Sequence, residues 1–296
     1  MRQWKKWLPA FMMAGLIILT ACGESSEEGS GDQQSAEESD TIHIGMNNWA
    51  ENVAVSNMWK LILEDQGYTV ELEQVEKGFL YEALASGDLD IGTEIWLPNT
   101  DQPFYEKYKD EIDWRETWYE GTELGLAVPT YMEDINTIED LKDAEQFSDN
   151  QIVGISAGAS IMNLTEEAIG EYDLDYSLLS SGEPTMITEL KNAIADEEPI
   201  AVTLWKPHWV FAEMDVKLLE DTKNVYGDSE NISYAARLGL KEDHPEVVKW
   251  WDSFELDDNQ LGSLMASINE ADSEEEGARQ WLDEHQDLVD EWTTES

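Results

Sequence analysis

Three tryptophans stand where indole rings can do chemistry. Trp49 follows the apolar alternation Ile42, Ile44, Met46; Trp96 closes the run from Ile91 to Ile95 and precedes Leu97-Pro98; Trp205 follows Ile200 to Leu204 and precedes Lys206-Pro207-His208-Trp209. Each lies at the carboxyl end of a strand-like run, two of them beside a proline that stops regular pairing. Open α/β sheets form their ligand crevices at such ends. Three indoles delivered there make a box of π faces, which selects a cation that cannot donate hydrogen bonds, so the arrangement points to a quaternary ammonium ligand. A second signal is Gly154-Ile155-Ser156-Ala157-Gly158-Ala159-Ser160-Ile161-Met162, a strand-like end, a loop of small residues and a helix-like start. Small side chains let a ligand approach the backbone, and the free N–H groups of a first helical turn attract an anion. Ser160 is a candidate N-cap, and the same pattern fits a plain connecting loop whose serine only caps the helix. It is not a phosphate loop, because no lysine follows.

The other conspicuous residues read as structural. Trp59, Trp114, Trp118, Trp250, Trp251, Trp281 and Trp292 are expected in packing, and Trp209, next to Val210 and Phe211, under the cleft floor. Lys206 would repel a cation if it pointed inward, so it is expected to face solvent. His208 has no Ser or Asp pattern beside it and is read as a loop hydrogen-bonder. No His-Glu-x-x-His helix and no calcium loop is present, so the carboxylates read as a solvated surface and not as a metal site. No catalytic constellation is visible; neither an enzyme nor a cofactor is expected.

Alternating patterns must position these residues. A strand from Ile42 to Met46 leads into a helix over 51–65 stopped by Gly67; a strand over 69–75, a helix over 79–86 closed by Gly87, and the strand ending at Trp96 follow. After the strand Gly125 to Pro129 comes another unit: strand 152–155, helix 162–172, strand 176–179, helix 184–195 and strand 200–204. A return strand over 232–240 precedes helices over 246–251, 261–268 and 278–292. The rhythm implies an α/β protein with a parallel or mixed sheet covered by helices. We divide it into a first lobe over 41–128, a second over 129–231, and a return to the first over 232–296, with the ligand in the cleft and a hinge at the crossings.

The 296-residue chain carries 66 acidic and 17 basic side chains, a formal charge of -49. That excludes nucleic acid and anionic membrane surfaces as partners. Such a surface is tolerable where salt shortens screening to about 3 Å near 1 M, which points to a saline habitat. Arg2, Lys5 and Lys6 precede an apolar stretch from Leu8 to Ala21 that is short for a membrane span. Residues 1–21 therefore read as a signal segment. Its end, Leu19-Thr20-Ala21-Cys22, resembles a bacterial lipobox, which implies cleavage before Cys22, the single cysteine, and a lipid on its thiol. Residues 22–40, rich in Ser, Glu, Gly and Gln, read as a flexible tether reaching roughly 20 to 25 Å.

Asn48-Trp49-Ala50-Glu51-Asn52, Ile95-Trp96-Leu97-Pro98-Asn99-Thr100, Gly125-Leu126-Ala127-Val128-Pro129, the Gly154–Met162 loop and Trp205-Lys206-Pro207-His208-Trp209 together resemble the glycine betaine binding proteins of osmoprotectant ABC importers. The likeness runs from about Ile42 to Trp292. It implies a two-lobed, type II periplasmic-binding-protein fold, a monomer held at the extracytoplasmic face by its lipid, and a permease with its ATPase as partner. It also implies that Trp49, Trp96 and Trp205 enclose a trimethylammonium group, while the amides of Ser160 and Ile161 hold the carboxylate. Some members have Gly where this chain has Ser160. Others place a His after the Trp-Leu-Pro, where Asn99, Thr100 and Asp101 stand here; an ionised Asp101 cannot hold a carboxylate, so Asn99 or Thr100 substitutes, or no side chain does. The alternatives are a surface-anchored hydrolase holding a sugar on Trp platforms, and a choline- or carnitine-binding protein of the same fold.

The charge itself makes a prediction. The melting temperature is expected to rise between low and molar salt; a flat profile would remove the argument for a saline habitat.

Overall fold

The computed structural model describes residues 41–144, 147 and 150–294. The expected signal segment, Cys22 and the tether lie outside them.

The elements follow the apolar periodicities. β1 (Thr41–Met46), α1 (Ala50–Asp65), β2 (Thr69–Gln74), α2 (Lys77–Ser86), β3 (Ile91–Leu97) and α3 (Gln102–Tyr108) precede the long β4 (Ile112–Pro129). After a 3₁₀ turn (Glu139–Asp143) come β5 (Gln151–Val153), α4 (Ser160–Glu171), β6 (Ser177–Leu179), α5 (Glu183–Asp196), β7 (Ala201–Lys206), the short α6 (Val210–Glu213) and β8 (Val216–Leu218). β9 (Glu230–Arg237) is followed by α7 (Leu240–Asp243), α8 (Pro245–Asp252), α9 (Asp258–Glu270), α10 (Glu274–Glu284) and α11 (Gln286–Thr293). α2 ends where Gly87 turns left-handed at φ 83°, a conformation a Cβ would resist.

The strands form one mixed sheet in the order β2-β1-β3-β9-β4-β7-β5-β6, with β8 also on β4. β1 pairs in parallel with β2 and β3, and β5 in parallel with β6 and β7. β4 joins these two parallel groups. Its Ile112–Thr122 part pairs antiparallel with β9, and its Glu123–Pro129 part with β7 and β8. Only the last residues of this strand, Gly125 to Pro129, are legible in the sequence. Ile112 to Thr122 alternates poorly, because β9 and the C-terminal helices bury Trp118 and Tyr119 in succession, a pattern that period-2 reasoning does not find.

The C-terminal helices close over α1 through an aromatic cluster. Trp59 stacks on Trp251 at 4.3 Å between centroids, meets Phe254 edge-on at 5.4 Å, and lies 6.3 Å from Trp292. Trp118 stacks on Phe254 at 5.3 Å. Edge-on and offset pairs of this kind add about 0.5–1.5 kcal/mol beyond their burial. Two expected elements differ. The helix expected over 278–292 is interrupted at His285, whose ring stacks on Trp281 at 4.1 Å. The return strand stops at Arg237, because Gly239 at φ 90° turns the chain into α7. Among the described residues no helix is long and apolar enough to cross a membrane.

Trp59 is fully buried at the centre of this packing. Trp59→Ala is expected to cost about 3–5 kcal/mol of stability, read from denaturant unfolding; a loss below about 1 kcal/mol would show that the cluster is not what fastens the C-terminal helices.

Candidate ligand-binding site

One cavity is lined by Trp49, Trp96, Trp205, Ser160 and Ile161, with Leu124 and Ile155 adding apolar wall. The five residues singled out in the sequence therefore meet, although they come from distant parts of the chain. Trp49 is the N-cap residue of α1, just past β1. Trp96 lies near the end of β3 and Trp205 near the end of β7, each followed two residues later by a cis proline. Ser160 and Ile161 open α4. β1 and β3 belong to one parallel group of the sheet and β7 to the other, so the cavity exists only where the two groups face each other.

Each indole is held by a polar or charged neighbour. The Trp96 Nε1–H donates to Glu94 Oε1 at 2.6 Å, and its backbone N–H donates to Asp101 Oδ2 at 2.8 Å. The His208 ring meets Trp205 edge-on at 5.0 Å. His208 is fixed in turn: its Nδ1 accepts from the Val210 N–H at 3.1 Å, and its Nε2 lies 3.3 Å from Glu183 Oε1. This is the structural hydrogen bonding expected of His208. The other Glu183 oxygen accepts from the Ala50 N–H at 3.0 Å, which ties α5 to the start of α1 beside Trp49. Lys77 Nζ sits 5.2 Å from the Trp49 ring centroid. Lys206 turns away to Glu123 at 2.9 Å and is half exposed, as expected. Trp209 is buried outside this cavity, with Lys191 Nζ 5.0 Å over its ring.

The cavity also holds charged groups. Glu51, Glu94, Lys77 and Asp101 all line it and are almost wholly buried; of these only Asp101 is weighed from the sequence as a neighbour of the ligand. The expectation that the carboxylates form a solvated surface is therefore corrected: Glu51, Asp90, Glu94, Asp101, Glu183 and Glu230 are buried, each among polar partners or beside the cavity. Lys77 Nζ pairs with Asp101 Oδ2 at 3.0 Å and donates to the Glu94 carbonyl at 2.7 Å. Burial, then the charges of Glu94 and Glu183, push the Glu51 carboxyl well above the usual carboxylate range, while the Trp205 indole N–H pulls it back. That N–H faces Glu51 without reaching full hydrogen-bond geometry. Burial raises Glu94 as well, opposed first by Lys77 and then by the Trp96 N–H. Glu94 carried a usable signal, a lone acid inside the apolar run Ile91 to Trp96. Lys77 carried none.

The loop expected to bind an anion is also corrected in detail. Ala159, not Ser160, is the N-cap of α4, and it makes no side-chain cap bond. Ser160 is the first helical residue, so its amide and that of Ile161 have no intrahelical acceptor, and among the described residues neither donates to a loop carbonyl. Gly154 is small for packing and not for a ligand: a Cβ there would lie 2.4 Å from Met162 Sδ. Of the three residues that stand where other members place a His, Asn99 does not line the cavity. The Thr100 hydroxyl donates to Glu230, and Asp101 is held by Lys77 and the Trp96 amide. No side chain of this segment is left to hold an anion, and the α4 amides remain.

Residues 40–284 match the family described as the substrate binding domain of ABC-type glycine betaine transport systems. The chain belongs to that family. It is 40% identical over 155 residues to the glycine betaine/carnitine transport binding protein GbuC of Listeria monocytogenes, an alignment covering 51% of this chain and 52% of that protein. The chain thus spans about half the length of this curated relative. Its structure is similar to lactococcal OpuAC, crystallised closed with glycine betaine (32% identity, TM-score 0.81, 86% of this chain and 100% of that one). It is equally similar to the glycine betaine/L-proline-binding protein ProX of Borrelia burgdorferi (34% identity, TM-score 0.81, 86% and 97%). The fold of this family member is the α/β, two-lobed type II binding-protein fold, with its cavity between the two parallel groups of the sheet.

The Lys77–Asp101 pair is 2% and 0% exposed. Asp101→Ala leaves a buried ammonium unpaired and is expected to cost about 3–5 kcal/mol in unfolding. A near-neutral result would mean that water reaches Lys77.

Proposed function

We propose that this member of the family captures glycine betaine, or a close relative such as proline betaine, with the trimethylammonium group among Trp49, Trp96 and Trp205 and the carboxylate on the Ser160 and Ile161 amides. The observation that carries the reading is the meeting of three indoles and two unpaired amides around one cavity. The named ligands of GbuC and of the lactococcal protein support it. A desolvated cation over an aromatic face is worth about 2 kcal/mol, so three faces offer about 6 kcal/mol. Hydrogen bonds to the charged carboxylate add about 1.5–3 kcal/mol each, against ordering costs of several kcal/mol. Micromolar affinity, about -8 kcal/mol, is the resulting scale.

In the same reading the lobes are residues 41–128 with 232–296, and residues 129–231, and they close on the ligand. The monomer is an extracytoplasmic component anchored through Cys22, and it hands its ligand to a permease driven by an ATPase. It is not an enzyme. Carnitine is the second reading, favoured by the GbuC name; it shares the cationic head and differs at the far end.

Calorimetry of the protein from Thr41 onward is expected to give micromolar heat with glycine betaine and none with oligosaccharides; heat with sugar alone would end the cage reading. Trp205→Ala should weaken betaine binding at least about tenfold by loss of one face. An unchanged affinity would show that this ring is only packing.

A further inference from the structure

Two acids sit where a cation-binding box has no need of a hydrogen bond. Glu51, from the first turn of α1, and Glu94, from β3, line the same cavity as the three indoles. Each acts on the other's ionisation: the charge of Glu94 raises the Glu51 carboxyl. Both are at least 99% buried, and Glu51 Oε2 and Glu94 Oε2 have no donor among the described residues. Two ionised carboxylates are acceptors only, so they can bond to each other only through a proton that one of them keeps. Like charges this close also do not both ionise in a dry site.

The surrounding charges leave this pair uncompensated. Lys77, from α2, approaches Glu94 but is paired with Asp101, which stands at the start of α3. Glu183, from α5, is occupied by the Ala50 amide and His208, and its charge opposes ionisation of Glu51. From β7 only the Trp205 N–H faces Glu51, and it makes no full hydrogen bond. Among the described residues no basic side chain is ion-paired with either carboxyl, and the three indoles share the cavity with them.

We propose that Glu51 and Glu94 share one proton beneath the indoles, act together as the counter-anion of the bound ammonium head, and release that proton to solvent when the head arrives. The inference rests on the cage reading above. No covalent bond changes: the proton leaves for water or buffer, and the positive head takes over its electrostatic role. The raised carboxyls agree with this, burial being the first cause for both. The sign follows from linkage. A bound cation favours the ionised pair and so lowers its pKa. Affinity then rises with pH between the bound pair's lower pKa and the free pair's raised one, by about tenfold per pH unit at most, and is flat outside that window. The ligand's own carboxylate stays ionised throughout and contributes nothing to the slope. Selectivity follows as well, because a neutral head of the same shape would leave the proton in place.

The test is calorimetry of the protein with glycine betaine at one near-neutral pH in phosphate and in Tris, whose ionisation enthalpies differ widely, followed by affinities from about pH 5 to about pH 8. The expected result is a binding enthalpy that shifts with the buffer in the direction of proton release, and an affinity that climbs with pH. Glu51→Gln and Glu94→Gln are each expected to abolish the buffer dependence. Betaine heat that is the same in both buffers, with an affinity independent of pH, overturns this inference and leaves the cage standing. Proton release that persists in both variants also overturns it, by assigning the proton to another group such as Glu183 or His208. Absence of betaine heat under every condition overturns the cage reading, and this inference with it. Should a variant fail to fold, the wild-type buffer pair decides alone.

Discussion

A cation over an aromatic face gains several-fold more when water is excluded, and exclusion here depends on two parallel groups of strands facing each other. Neither group alone closes the box: β1 and β3 deliver Trp49 and Trp96, while β7 delivers Trp205 and α4 the amides. β4 is the physical condition for this, since one strand pairs with β9 on one side and with β7 and β8 on the other. Glu183 adds a direct tie, reaching from α5 to the amide next to Trp49 and to the His208 that braces Trp205. The rings are therefore held in place by the chain's own contacts.

The same chain solves an opposite problem at its surface and in its cavity. With 66 acids and 17 bases, most carboxylates have no basic partner, and solvent and salt must screen them. The buried acids cannot rely on screening. Asp101 takes Lys77, Asp90 takes Arg237 at 2.6 Å, and Glu230 takes the amides and hydroxyl of the Asn99–Thr100 turn. Glu94 takes the Trp96 indole N–H, while one oxygen each of Glu51 and Glu94 is left without a partner among the described residues. A like-charged pair is tolerated in a protein interior only where protonation or a ligand relieves it, so its presence beside the indoles belongs to the chemistry of the cavity and not to that of the core.

Periodicity alone exposed most of the elements, including the strand ends that carry the three indoles, because alternate burial and helical stripes are imposed locally by the backbone. The seven tryptophans assigned to packing lie outside the cavity, with Trp59, Trp118, Trp251 and Trp292 in one cluster. Ser160 was misplaced by one position, since an N-cap is defined by backbone angles that the residue type only biases. The first part of β4 escaped because its burial is set by β9 and by helices more than a hundred residues away.

What the sequence by itself determined was the inventory: indoles at strand ends, an amide-presenting loop before a helix, an acid-rich exterior, and an α/β rhythm. These follow from short-range preferences written into neighbouring residues. What only the tertiary structure decided was which acids leave the solvent and what they then face. Lys77, Glu94 and Glu51 are ordinary surface-type residues until β3, α1 and α2 converge, and desolvation, which no local pattern encodes, turns them into the charged wall of the cavity.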